Sequence, residues 1–442
     1  MPPWLGTGIR SYLASGRCWL LFADLEHEPA HWSPFVSTPY SRHASEVKHP
    51  SPSMKSVLSR ITRPRQEAFR LTAYLQISAL ISLSIWLLLF LPEFLVQQGW
   101  SSQKVGWAVG SYFSVYIVVQ ILAGQIANRY GNITTAVAGA VIGIAASFGY
   151  LLALKWPNMI FLGRMLHGSG TALVISGAVF HLSDSVPVHL RGRMLGYFGL
   201  PGFVMLAAGP SLSEILKKFG GIGGTFAGVL VIYLTLVVIL RRLPASLQRE
   251  DLPSEPLIHT FKENFFRLRS ILVYSFAFGF CYSVWQSFLA PSLNHLGAGA
   301  ISTFGVGYGA GAVVSRLGIT QRLETGSRRL AAIASLSVYG LCLAMLPQSL
   351  QIWHLGVLAL LIGLSHGVYY PALSSLAAER FHRSGTGTAM SLYMSSSSLG
   401  QFIGPPVWGL LADLTAYGWI FGAAGGTLVV ATVVFVISER RF

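Results

Sequence analysis

A chain of 442 residues that is 52% hydrophobic and only 11% charged is not composed like a soluble protein, in which about a quarter of residues carry charge. Its net charge of +15 needs no nucleic-acid partner once the cations are seen to sit between apolar runs. Cys18, Cys281 and Cys342 have neither pairing nor metal spacing, which leaves no disulfide scaffold and no zinc site to argue for.

Residues 1–53 differ from the rest. Seven prolines, Pro2, Pro3, Pro29, Pro34, Pro39, Pro50 and Pro52, alternate with Ser and His. The mildly apolar stretch 11–23 is interrupted by Arg17 and too short to span. Residues 1–70 therefore read as a cytoplasmic N-terminal tail, with 1–53 either disordered or an extension upstream of a start at Met54.

Twelve apolar runs follow, near 72–91, 105–127, 133–154, 158–181, 192–213, 222–241, 269–290, 297–318, 330–347, 354–376, 387–411 and 417–437. Each approaches the roughly 20 residues that a helix needs to cross a bilayer core. The eighth is the weakest, diluted by Gly297, Gly299, Gly305, Gly307, Gly309 and Gly311; small residues suit close helix packing in lipid, and a re-entrant loop is the competing reading. Between runs six and seven, residues 242–268 mix Pro244, Pro253 and Pro256 with acidic residues. They form a central loop whose end, Asn264 to Arg269, reads as a short amphipathic helix on the inner surface. The expected organisation is all-α, with six-helix bundles at 71–241 and 269–442.

Cation placement tests this count. Of the 31 Lys and Arg, four precede Met54, 22 fall on one set of alternate loops, four (Lys104, Lys155, Lys217 and Lys218) fall on the other, and Arg164 lies inside a run. Positive residues stay cytoplasmic, so both termini are expected inside.

The halves repeat. Asp184, Gly192 and Gly209-Pro210 recur as Glu379, Gly387 and Gly404-Pro405, every match 195 residues apart. Phe90-Leu91-Pro92 is echoed by Phe288-Leu289-Ala290-Pro291. Two parallel six-span repeats with a site at their interface are a transporter architecture.

Three local patterns sharpen this. They are Gly124-Gln125-Ile126-Ala127-Asn128-Arg129-Tyr130-Gly131 between runs two and three, Gly163-Arg164-Met165-Leu166-His167-Gly168-Ser169-Gly170 in run four, and Gly196, Gly209 and Pro210 in run five. Over residues 71–442 the chain resembles the major facilitator superfamily, whose cytoplasmic loop, embedded arginine and exporter glycine–proline patterns these three are similar to. Asn128 stands where that loop has Asp, Asn132 replaces part of a basic pair, and Met205, Ser213 and Glu214 replace glycines of run five. Run eleven keeps Gly400, Gly404, Pro405 and Gly409, whereas the second loop copy is degraded to Thr325-Gly326-Ser327-Arg328-Arg329.

The resemblance implies a multi-pass transporter of the inner or plasma membrane that rocks two bundles around a central cavity. Gly124, Arg129 and Gly131 are expected to make a tight cytoplasmic turn, with Arg129 reaching Asp184 or Glu379 as a gate that breaks between conformations. Arg164 would bind an anionic group or tune a protonation site, because a charge at that depth costs about 2.5 kcal/mol or more unless it pairs or faces water; snorkelling outward is the alternative. Runs four, seven and ten, with run one, are expected to line the cavity. They offer Tyr74, Gln76, Ser82, Trp86, Arg164, His167, Thr171, Tyr274, Tyr282, Trp285, Gln286, His366, Tyr369 and Tyr370. Tyr282, Trp285 and Gln286 share one helix face. Ser395 to Ser398 read as packing residues.

Proton coupling lacks a mid-membrane carboxylate, which leaves Glu93 at the outer end of run one, His167, His181 and His366, the substrate's own proton, or uniport. No Walker loop points to ATP, no metal or cofactor is implied, and no catalytic set marks an enzyme. The expected function is secondary transport of a small amphipathic organic molecule or organic anion by a monomer, exported with proton coupling. The rivals are a nutrient importer and a non-transporting receptor or scaffold of the same fold.

Overall fold

The apolar runs fold as helices because a backbone in lipid must satisfy its N–H and C=O groups within itself. The computed structural model describes residues 71–186, 188–244, 257–293, 296–297, 299–319, 328–349, 351–380 and 386–439, and no strand occurs among them. The expected tail, the loop stretch 245–256, Thr325-Gly326-Ser327 and Cys18 lie outside the described residues.

Helix α1, Leu71–Gln97, tightens to a 3-10 turn at Leu87–Phe90 just before Pro92, which has no N–H to continue the regular ladder. Helix α2, Ser102–Tyr130, starts at a cap in which Ser101 Oγ accepts from the Lys104 N–H at 3.2 Å. Helices α3, Asn132–Ala153, and α4, Met159–Ser185, follow. Val188–Arg241 is one helical run broken at Gly220 and Gly221, the second of which takes φ 58° and ψ −158°, a backbone state that glycine alone adopts readily. Its arms are α5 (188–219) and α6 (222–241).

The second half comprises α7, Leu257–Ser292, and α8, Ala300–Val314, which is extended by a π-helical turn at Ser315–Ile319. It ends with α9, Arg328–Met345, α10, Ile352–Arg380, α11, Thr386–Leu414, and α12, Tyr417–Glu439.

Nine helices among the described residues are long and apolar enough to cross a membrane, counting 194–241 as one. Helices α8 and α11 fall short of that measure, α8 because only 15 residues are regular α-helix and α11 because serines, glycines and two prolines dilute it.

Three expectations change. The eighth run is a packed helix and not a re-entrant loop, with Phe304, Tyr308 and Ala312 fully buried. The stretch 264–269 is not a separate surface helix but the continuous start of α7. Gly124 makes no turn: α2 runs unbroken through it, and the chain reverses at Gly131 alone, where φ is 88°.

Packing follows the repeat. Within the first half α3 packs on α4 and α6, and α2 on α4; within the second, α11 packs on α7, α10 on α8, and α9 on α10 and α12. The halves meet along two seams, α2 against α11 and α5 against α8. Large side chains buried inside are mostly aromatic, whereas Val231, Val238, Val430 and Val433 are exposed on the outside. That is the inverse of a soluble core and is what lipid as solvent demands.

Candidate functional site

The seams place the site. Along the first stretch of α2, Gly110 lies so close to α11 that a Cβ would sit 2.7 Å from the Phe402 carbonyl oxygen. A Cβ on Gly409 would be 2.8 Å from Gln103 Cα. In the α5–α8 seam, Cβ atoms on Gly305 and Gly309 would be 2.7 and 2.6 Å from the carbonyl oxygens of Leu206 and Phe203, and the Pro210 ring abuts Gly305. The Asp413 carboxylate, at the end of α11, accepts from the Ser102 N–H at 2.7 Å and the Gln103 N–H at 2.9 Å. It thus caps α2 from the opposite half, where an anion complements the helix dipole.

The expected packing residues divide. Gly209 abuts Trp86; Gly400 and Gly404 lie against Phe276 and Phe280 of α7; Pro405 presents its carbonyl to Gly106. Gly196 does not pack: a Cβ there, like one on Gly124 or Gly199, would meet nothing within 4 Å. These three glycines lie at the ends of α2 and α5 remote from Asp413.

Between the seams lies a cavity of about 270 Å³. Its wall is aromatic: Trp86, Tyr112, Phe113, Tyr116, Phe278, Tyr282, Tyr369, Tyr370 and Tyr393. Its polar groups are Gln120, Gln286, Gln401, His366, Ser397 and Ser398, with no carboxylate among the described residues. Gln286 Oε1 and Tyr369 OH are buried without a hydrogen-bond partner. A smaller cavity of about 40 Å³ shares Trp86, Tyr112, Phe113 and Gln286 with it and ends at Arg164. A larger hollow of about 420 Å³, lined by Lys104, Trp107, Phe161 and Phe402, is an open groove on the outer side of the α2–α11 seam, on which Trp107 is exposed.

Trp86, Tyr282, Gln286, His366, Tyr369 and Tyr370 of the expected lining do face this cavity. Tyr74, Thr171 and Tyr274 are instead buried in helix contacts: Tyr74 pairs with His181, Thr171 Oγ1 lies 2.9 Å from Tyr233 OH, and Tyr274 OH lies 3.1 Å from Thr432 Oγ1. Trp285 is fully buried behind the wall, donates from Nε1 to Tyr339 OH at 3.0 Å, and stacks on Trp86 at 5.8 Å.

The contribution of α2 and α11 was missed. Tyr112, Tyr116 and Gln120, like Tyr393, Ser397 and Gln401, recur every fourth residue, so a helical face carried the signal. Ser397 and Ser398 line the cavity, contrary to the packing role expected for the serine run, whereas Ser396 does pack, donating to the Leu272 carbonyl at 2.7 Å.

Arg164 does not snorkel. Only 7% of it is exposed; Nη2 donates to the Val109 carbonyl at 3.1 Å, the guanidinium lies 4.7 Å from the Tyr112 ring centroid, and Nε has no partner. One turn along, His167 is sealed, with Nε2 3.1 Å from Ser84 Oγ and Nδ1 2.9 Å from Tyr150 OH. Both ring nitrogens are occupied away from the cavity, so its place is that of a bonded core histidine. His181 is likewise held, by Tyr74 and by the Pro244 carbonyl at 2.9 Å. His366 differs: Nδ1 lies 2.5 Å from Tyr308 OH and its ring borders the cavity. Glu93 sits off the cavity, paired with Lys217 at 3.3 Å and accepting from Gln97 at 3.2 Å.

The gate contacts are not made in this conformation. Arg129 is exposed and lies over the Tyr130 ring at 5.3 Å, with Asn128 exposed beside it. Asp184 accepts instead from Asn132 Nδ2 at 2.8 Å, and Glu379 pairs with Arg328 of its own half.

The sequence profile of the Major Facilitator Superfamily matches residues 73–387 and 292–441. The quinolone resistance protein NorA of Staphylococcus aureus is 22% identical over 377 residues, covering 82% of this chain and 95% of that protein. The multi-drug resistance efflux pump PmrA of Streptococcus pneumoniae is 24% identical over 358 residues, covering 76% and 86%. Among solved structures, the nucleoside transporter NupG superposes with a TM-score of 0.66 at 14% identity, covering 83% of this chain and 98% of that one; at that identity the likeness is one of fold.

Proposed function

The chain belongs to the major facilitator superfamily, and we propose that this transporter exports a small amphipathic organic molecule or organic anion, driven by a proton gradient. The observation that carries the reading is the cavity between the two seams, an aromatic wall with a few convergent polar groups, which suits an apolar body with a polar end. Export is favoured by the efflux pumps among its relatives.

We infer twelve spans with both termini cytoplasmic. The nine apolar helices, with 194–241 counted as two, are joined by α8 and α11, and the cations segregate 22 to four across the alternate loops. The tightly packed end at Asp413 is then extracellular, the open end at Arg129 cytoplasmic, and this conformation faces inward. Rocking 71–241 against 269–442 would open the Asp413 cap and bring Arg129 toward Glu379. Of the titratable groups weighed, His366 is the one on the cavity, and we assign the proton to it. Facing it are Tyr308 of α8, Tyr282 and Phe278 of α7, and Phe203 of α5, with Arg316 within electrostatic reach.

Inside-out vesicles with an acidic lumen should accumulate an aromatic amphipathic probe and lose lumenal protons in step. Accumulation only in right-side-out vesicles with an acidic exterior would make the protein an importer, a reading favoured by the eroded run-five pattern at Met205, Ser213 and Glu214. Arg164→Gln should abolish flux while the protein still inserts; flux within twofold of wild type would reduce Arg164 to a packing residue.

A further inference from the structure

Arg316 counts in the sequence as one more cytoplasmic cation, and its place in the fold is different. It lies in the π-helical turn that ends α8, Ser315–Ile319. Such turns are frequent at functional sites. Val314, Leu317 and Gly318 around it are exposed, so the turn presents Ser315 and Arg316 inward. Gly367 makes room for this: a Cβ there would lie 2.8 Å from the Ala312 carbonyl oxygen and 3.1 Å from Ser315 Cβ. An arginine placed only by topology would extend to the headgroups. This one lies between the halves, with its guanidinium 5.7 Å from the Phe203 ring centroid of α5 and 5.3 Å from that of Tyr370 on α10.

Among the described residues its charge has no acidic partner. Arg316 Nε is buried without a hydrogen-bond partner, and neither ion pair among the described residues involves Arg316. Two aromatic faces within about 6 Å attract a guanidinium but return only part of what it loses on leaving water. Tyr370 is itself cavity wall, so Arg316 stands directly behind the lining. At the other end of the aromatic wall Arg164 also carries an unpartnered Nε. A cavity with a cation behind each end and no carboxylate among the described residues of its wall is short of one thing, an anion, and guanidinium is the side chain best shaped to take a carboxylate in two parallel hydrogen bonds.

We propose that Arg316 receives the anionic group of the transported molecule at the Tyr370 end of the cavity, which makes the substrate a carboxylate on an aromatic or alicyclic body. This rests on the reading of the cavity as the substrate site. At about 270 Å³, against about 30 Å³ per water, the space holds a body of one or two rings. The body lies on the Tyr282, Tyr369 and Tyr393 wall, and its carboxylate reaches Arg316 by turning the Tyr370 ring aside.

The test uses the full-length protein in lipid nanodiscs and calorimetric binding of three probes of one shape: 2-naphthoate, its neutral amide and 2-naphthylmethylammonium. Wild type should bind the acid about ten- to a hundredfold more tightly than the amide, and the ammonium probe most weakly. Arg316→Gln should bring the acid to the level of the amide and leave the amide unchanged, a pattern that a merely structural loss would not produce. Arg316→Lys should retain part of the preference. The proposal is overturned if the acid preference survives in Arg316→Gln, or if wild type binds the amide or the ammonium probe at least as well as the acid. Gln286→Leu and Tyr282→Ala separate the two levels. If they weaken the probes while Arg316→Gln does not, Arg316 alone is wrongly assigned. If they leave all three probes unaffected, or if wild type binds none, the cavity itself is not the site.

Discussion

The two ends of the α2–α11 and α5–α8 seams are made of the same residue types and behave in opposite ways. Toward Asp413, glycines press backbone on backbone, with Gly110 against Phe402 and Gly309 against Phe203. Toward Arg129, Gly124, Gly196 and Gly199 meet nothing within 4 Å. A small residue is therefore not a packing site by identity; it becomes one only where a partner helix arrives. The rocking proposed above would bring the partner helix to these free glycines in the other state.

That contrast can be broken at its strongest point. Gly110→Val or Gly309→Val should cost about 1–3 kcal/mol or more of overpacking. It should appear as a large fall in unfolding temperature in detergent and in little protein reaching the membrane. Near-normal stability would mean that the seams are not tight.

A smaller effect is expected at Asp413. Asp413→Ala removes the cap on α2 and should cost about 1 kcal/mol, all of it from the state in which the halves meet there. Spin labels at the exposed Phe219 and Trp353 should move apart on average, with the α2 helix intact by circular dichroism. An unchanged distance distribution would make the cap a local feature only. Glu93→Gln should do less. Its pair with Lys217 is partly exposed and worth about 0–1 kcal/mol, so proton-driven flux should persist, and its loss would return coupling to Glu93. Smallest of all, Gly124→Ala should change unfolding temperature only slightly and upward, since an alanine in open helix lowers backbone entropy in the unfolded chain. If the mutant nevertheless slows transport, Gly124 is a contact of the other conformation.

Much of this was legible in the sequence because lipid imposes a simple rule. Helices α1 to α12 follow the apolar runs, and the lining residues on α7 and α10 follow from one helical face each. What was not legible depends on crossings between helices far apart in sequence. His167 and His366 look alike in a string of letters. One is closed in by Ser84 and Tyr150, the other open to the cavity, and only the packing of α1 and α3 around α4 separates them. Arg129 and Glu379 invite pairing by charge, yet local partners at Tyr130 and Arg328 hold them in this state. Arg316 was hidden by the charge rule that located the loops, because that rule counts a cation without saying where its side chain points.

One contact also gives the molecule a built-in optical signal. Trp86 and Trp285 stack across the two halves with rings 5.8 Å apart and 15° from parallel. Indoles in that geometry couple excitonically, so parting the halves at this level would erase a near-ultraviolet dichroic band without any dye or label. Subtracting the spectrum of Trp86→Phe would isolate that band from the other tryptophans and let the rocking be followed in unmodified protein.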